Sequence, residues 1–184
     1  IKKWCEKVGI ECYTDTPEVG KLHSLEDEIK YYISHANAKD YDLVVQLHLN
    51  ACNEKAKGCE VWYYPSSAMG MQYANSVCNK LGTIWINRGI KASKTLYWLR
   101  KTFAPSILIE SFFCDTASDY LTAVKIGLDN HAKLIVEGIL GKDITTYNSR
   151  YSVLVGDYDN KKTANSISKE LSKLGYKTEV VKRG

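Results

Sequence analysis

Along this chain the apolar positions switch between helical spacing and short continuous runs, and the switches mark out the elements. Residues 1–8 read as the tail of a helix stopped at Gly9, with a turn and a strand over 8–14. Ser24 followed by Asp27, with Leu25, Ile29, Tyr32 and Ile33 at helical spacing, predicts a helix over 24–37. Residues 43–49 are almost unbroken Val and Leu, which fits a central strand covered on both faces. Residues 59–64 predict the next strand, introduced by Gly58. Met69, Tyr73, Val77 and Leu81 recur every four positions, so 66–81 predicts an amphipathic helix closed by Gly82. The chain is expected to turn away over 84–89, and a short segment at 96–99 leads to a second buried strand at 105–110, with Glu110 at its end. Thr116 and Asp119 form a capping pair for a long helix to Gly141, whose core side includes Leu121, Val124, Leu128, Leu134, Ile135 and Ile139.

Alternation of helices with buried strands predicts an α/β fold, a mostly parallel sheet covered by helices. It occupies residues 1–141. A polar linker over 142–150 follows, and residues 151–184 read as a small β-α-β unit with strands at 151–156 and 175–181 and a helix at 161–174. That unit is too short to bury a core alone, so it is half of a domain or docks on the first.

Composition narrows the functional classes. With 45% hydrophobic residues, 25% charged residues and three prolines in 184, the chain is an ordinary folded protein and not a disordered one. No apolar run approaches the roughly 20 residues of a membrane span. The net charge of +4 is spread thinly and no Lys/Arg block resembles a nucleic-acid arm; the stretch from Arg88 to Arg100 reads as a solvated face. Such a charge suits an anionic polymer like cell wall only slightly. None of the six cysteines forms a CxxC pair, so they read as buried free thiols, with a Cys52–Cys59 bridge as the alternative. Ile1-Lys2-Lys3-Trp4 is neither an initiator methionine nor a signal peptide, which suggests a start inside a domain.

Two strands deliver polar groups where ligands collect in open α/β sheets, at strand carboxyl ends: one carries His48 with Asn50 beyond it, the other Glu110. Neutral imidazole is a common zinc ligand, and a carboxylate beside it can accept the proton of an attacking water. The pair could therefore hydrolyse an amide. Each residue also has a structural reading. His48 could be a hydrogen-bonded core histidine, and Glu110 could pair with Arg100 or Lys101. His131, in the long helix, reads as solvated or packed.

Residues 41–51, YDLVVQLHLNA, resemble the DL-x-SIHxNA signature of the zinc-dependent N-acetylmuramoyl-L-alanine amidases of type 3, with Gln46 where serine is usual. Residues 105–115, PSILIESFFCD, resemble the family's P-x-vLvE-x-GF-x-SN segment, with Ser111 in place of glycine and Cys114-Asp115 in place of Ser-Asn. Residues 57–64 are similar to the strand between them, and 96–105 to the L-x-vLR-x-T-x-x-P approach. Order and spacing agree across 1–141, in wording closest to clostridial phage endolysins. The resemblance implies hydrolysis of the amide between N-acetylmuramic acid and L-alanine of peptidoglycan at the bacterial cell wall, by an endolysin or autolysin using Zn2+. It implies His48 as one metal ligand and Glu110 as the catalytic glutamate. It places the remaining histidine and glutamate ligands upstream of residue 1, and His23 and His35 fall where the family has none. Residues 151–184 resemble the first half of a SPOR repeat, a peptidoglycan-binding module. The competing reading is a non-catalytic wall-binding protein with a degenerate amidase domain.

Overall fold

The computed structural model describes residues 1–14, 24–144, 158–175 and 178–180. Two compact units divide the chain, Ile1–Thr145 and Thr146–Gly184. In the first, the elements run α1 (Lys2–Lys7), α2 (Leu25–Ala36), β1 (Val44–Asn50), β2 (Cys59–Tyr63), α3 (Ala68–Leu81), β3 (Asn87–Ala92), α4 (Tyr97–Lys101), β4 (Ser106–Phe113) and α5 (Ala117–Leu140). The strands form one open mixed sheet in the order β1-β4-β2-β3. β1 with β4 and β2 with β3 are parallel, and β2 with β4 is antiparallel. Two of three pairings are therefore parallel, and the α/β class holds.

Strand alternation divides the sheet into two chemically different faces. Val61, Ile107 and Ile109 point to a core they share with Ala74, Val77, Cys78 and Leu81 of α3 and Ile135 of α5, all buried. Each large side chain here stabilises the fold by about 2 kcal/mol through loss of apolar surface. Glu60, Trp62, Leu108 and Glu110, one position out of phase, lie on the other face. Helix starts follow local chemistry: Ser24 accepts from the Asp27 amide at 3.1 Å, and Ser67 from the Gly70 amide at 3.0 Å. A satellite cluster of Trp4, Cys5, Val136 and Ile144 packs α1 against the end of α5.

Several expectations are corrected. Residues 10–14 form no strand. β1 is an edge strand, not a central one, and Leu47 and Leu49 are 52% and 50% exposed among the described residues. β3 occupies residues where a turn was expected, because Asn87-Arg88-Gly89 carries none of the apolar run that marks β1 and β4. In α5, Leu121, Val124 and Leu128 are exposed, whereas Ile135 is buried and Leu134 and Ile139 pack on the core. The reason is Gly127, whose φ of 74° and ψ of 158° break the helix internally, so one helical phase that fits the core face after it does not carry over to the half before it. All six thiols are free, as expected, and the alternative Cys52–Cys59 bridge is absent. Cys5, Cys59 and Cys78 are buried, with the Cys59 thiol 3.7 Å from the Cys78 carbonyl oxygen, but Cys52 and Cys114 are exposed, contrary to expectation.

In the second unit, α6 (Lys161–Lys173) matches the expected helix, capped by Asn160, whose side-chain oxygen accepts from the Thr163 amide at 2.8 Å. The expected strand at 151–156 lies outside the described residues. Of 175–181, residues 175 and 178–180 are described and adopt no strand, while Thr178 meets Ser168 through their hydroxyls at 2.8 Å.

Candidate active site

His48 and Glu110 are paired positions of the parallel β1/β4 ladder, so their side chains leave the same face of the sheet on neighbouring strands. The ladder slips between His48 and Asn50, where β1 ends. On its other side Glu110 pairs with Glu60 of β2. A row of ionisable groups therefore crosses the sheet: imidazole on β1, one carboxylate on β4, another on β2, and beyond them Arg88 and Lys91 on β3.

The two carboxylates have opposite surroundings. Glu60 is 4% exposed and fully engaged. It accepts from Arg88 Nε at 2.8 Å, Lys91 Nζ at 2.7 Å and Asn50 Nδ2 at 3.2 Å. Burial pushes its carboxyl up, but the Lys91 and Arg88 bonds overcome this and hold it below the usual glutamate value. Glu110 has no such partner, and its Oε2 is buried without a hydrogen bond. Burial, followed by the charge of Glu60, pushes Glu110 up to about 7. The salt bridge to Arg100 or Lys101 does not form, because both cations belong to exposed positions of α4 and lie over the Tyr97 ring. His48 is not a core histidine: its side chain is exposed, and partial desolvation lowers its pKa, which favours the neutral ring.

Sequence reasoning missed Glu60 and its cations. The solvated face expected over 88–100 does not hold at Arg88 and Lys91, which both turn onto Glu60, with Arg88 over the Phe113 ring at 5.0 Å and Lys91 over Trp62 at 5.3 Å. The available signal was Glu60 itself, a carboxylate inside a strand that needs partners once buried. Thr116 and Asp119 are not a capping pair. Thr116 donates to the Ala56 carbonyl at 2.7 Å, and Asp119 accepts from the Gly58 amide at 2.7 Å and the Phe113 amide at 3.3 Å. With Asp115, which accepts from the Cys52 and Glu54 amides, they tie the 51–58 loop to the start of α5 and so fix where β1 ends. His131 is packed on Trp85 and Phe112, and it lines a second cleft together with His48, Leu49 and Ser111.

A cleft of about 250 Å3 opens beside Glu110, bounded by Trp62, Leu96 and Leu108. Among the described residues no three His, Cys, Asp or Glu side chains gather to hold a metal ion. His48 offers one nitrogen donor and Glu110 one free carboxylate, while Glu60 is already committed. The described residues thus supply part of a zinc donor set and not a complete one.

Comparison with known proteins fits this geometry. The family model for N-acetylmuramoyl-L-alanine amidase, Amidase_3, matches residues 1–140. An uncharacterized protein of Clostridium perfringens is 32% identical over 117 residues, covering 61% of this chain and 35% of the relative. The chain therefore spans about a third of the length of the curated relatives it matches. Among solved structures, the catalytic domain of the CD27L endolysin targeting Clostridia Difficile is 44% identical with a TM-score of 0.72, over 76% of each chain. The N-acetylmuramoyl-L-alanine amidase from Clostridium difficile 630 is 26% identical with a TM-score of 0.57, again over 76% of each. Since the matched residues take in every strand of the sheet and the paired His48 and Glu110, this chain belongs to the N-acetylmuramoyl-L-alanine amidase family.

Proposed function

We propose that this protein hydrolyses the amide joining the lactyl group of N-acetylmuramic acid to L-alanine in peptidoglycan, acting at the bacterial cell wall as an endolysin or autolysin. The observation that carries the reading is the pairing of His48 with Glu110, the latter holding a buried, unpartnered oxygen, inside the residues matched by the family. A carboxyl that titrates near neutral pH can take a proton from the attacking water and return it to the departing L-alanine amine. Neutral His48 would be one of the side chains to hold zinc. Held there, the metal would supply Lewis-acid chemistry. Residues 151–184 serve as a SPOR-like wall-binding segment, which raises the local concentration of the site at an insoluble substrate.

The test uses the full-length gene product, purified peptidoglycan and mass spectrometry of the released muropeptides. New L-alanine amino termini are expected. Glu110→Gln lowers turnover by at least about a hundredfold while zinc content is kept, and His48→Ala loses zinc. Substantial turnover in the Glu110 variant overturns its assignment as the base. A second reading, wall binding without catalysis, is favoured by the incomplete donor set among the described residues. Sedimentation with peptidoglycan, with no new amino termini, would select it.

A further inference from the structure

We propose that Arg88 and Lys91 bind a carboxylate on the peptide side of the scissile amide, so that the protein selects an acidic stem peptide. This rests on the amidase reading and adds to it a substrate group and the residues that recognise it. Trp62 pairs with Lys91 in the β2/β3 ladder, and Glu60 pairs with Glu110 in the β2/β4 ladder, so the two cations share the face of the reactive carboxylate. They stand two strands away from it, about 10 Å. The cleft beside Glu110 is lined by Glu60 and Trp62, and these are side chains that the cations contact: both reach Glu60, and Lys91 lies over Trp62.

Charge makes this end of the row a receptor. Arg88 and Lys91 bring two positive charges to the single carboxylate of Glu60, which leaves one in excess. Their side chains remain 35% and 34% exposed, so a ligand can reach them. Arg88 uses Nε on Glu60 and Nη1 on the Lys57 carbonyl at 3.4 Å; its Nη2 has no partner among the described residues. The aromatic rings beneath both cations hold them in place before a ligand arrives.

Substrate chemistry says on which side the anion lies. The carboxyl of N-acetylmuramic acid is consumed in the scissile amide, so the sugar brings no carboxylate to the bond. The peptide does, wherever its second residue is a glutamate joined through the γ-carboxyl, which leaves the α-carboxylate free. Two extended residues span about 7 Å, and the long Arg and Lys side chains cover the rest.

The test compares two ligands, N-acetylmuramoyl-L-alanyl-γ-D-glutamyl-L-lysine and the same compound with the glutamyl α-carboxylate converted to an amide. Binding is measured by calorimetry in a Glu110→Gln background, in which turnover is slowed. The carboxylate ligand is expected to bind about tenfold more tightly, the value of one charge-assisted hydrogen bond. Arg88→Gln and Lys91→Gln should each reduce that preference, and Arg88→Lys should restore part of it. Lys91→Gln keeps the Arg88–Glu60 pair, so it decides the matter if Arg88→Gln does not fold. Equal affinity for the two ligands, or a preference that survives both substitutions, overturns the proposal. Hydrolysis by the unmodified full-length product is assayed in parallel: a retained preference without cleavage removes the amidase reading and leaves this one standing.

Discussion

Two glutamates lie side by side on β2 and β4, and their environments drive them apart. Glu60 keeps its charge because two cations reach it, whereas Glu110 meets burial, a negative neighbour and no donor to its buried oxygen. The consequence can be read in stability. A carboxyl whose folded value of about 7 lies above the usual 4.5 holds its proton more tightly in the native state. Metal-free protein should therefore lose stability as pH rises through that interval, and the loss should persist above it. Glu60 acts in the opposite sense, stabilising at neutral pH and losing that contribution only below about 4.5, outside the window. His48 and His131, both lowered by burial, also work against the Glu110 trend, so the useful quantity is a difference between proteins. With a chelator present, Glu110→Gln should gain stability relative to the parent on going from pH 5 to pH 8, by urea midpoint. A parent–variant difference that is constant across this range would mean that Glu110 is not strained by its surroundings.

At the scale of elements, α5 does two jobs, separated by its break at Gly127. Its first turn, with Asp115 and Thr116 before it, ties down the loop that leaves β1, and its second half closes the core over α3. Gly138 lets the two helices approach: a Cβ there would lie 2.6 Å from Val77 Cα, a backbone atom that cannot swing aside. Gly138→Ala should destabilise by about 1–3 kcal/mol, since room must be made by separating packed helices. Urea denaturation measures it, and a change below a few tenths of a kcal/mol would show that the α3/α5 contact yields easily. Helical spacing could not reveal the break, because Leu121, Val124 and Leu128 follow an apolar rhythm as regular as that of the buried half. A periodic pattern describes a helix that continues in phase, and one residue with positive φ resets it.

For the whole molecule, the incomplete donor set has a direct expectation. Residues 1–184 alone, loaded with zinc and desalted, should retain well under one zinc per chain by elemental analysis, because among the described residues no three His, Cys, Asp or Glu side chains gather to hold a metal ion. One tightly held zinc per chain would place ligands outside the described residues. The sequence by itself determined the α/β class, the strands that carry His48 and Glu110, and the family resemblance, because these depend on local runs of apolar residues and on residue order. Only the tertiary structure decided that β1 lies at an edge, that β3 exists, and that Glu60, Arg88 and Lys91 continue the row begun by His48 and Glu110. Strand order and side-chain pairing across the sheet join residues far apart in the chain. No local pattern encodes them, and each carboxylate acquires its character from neighbours that folding alone brings beside it.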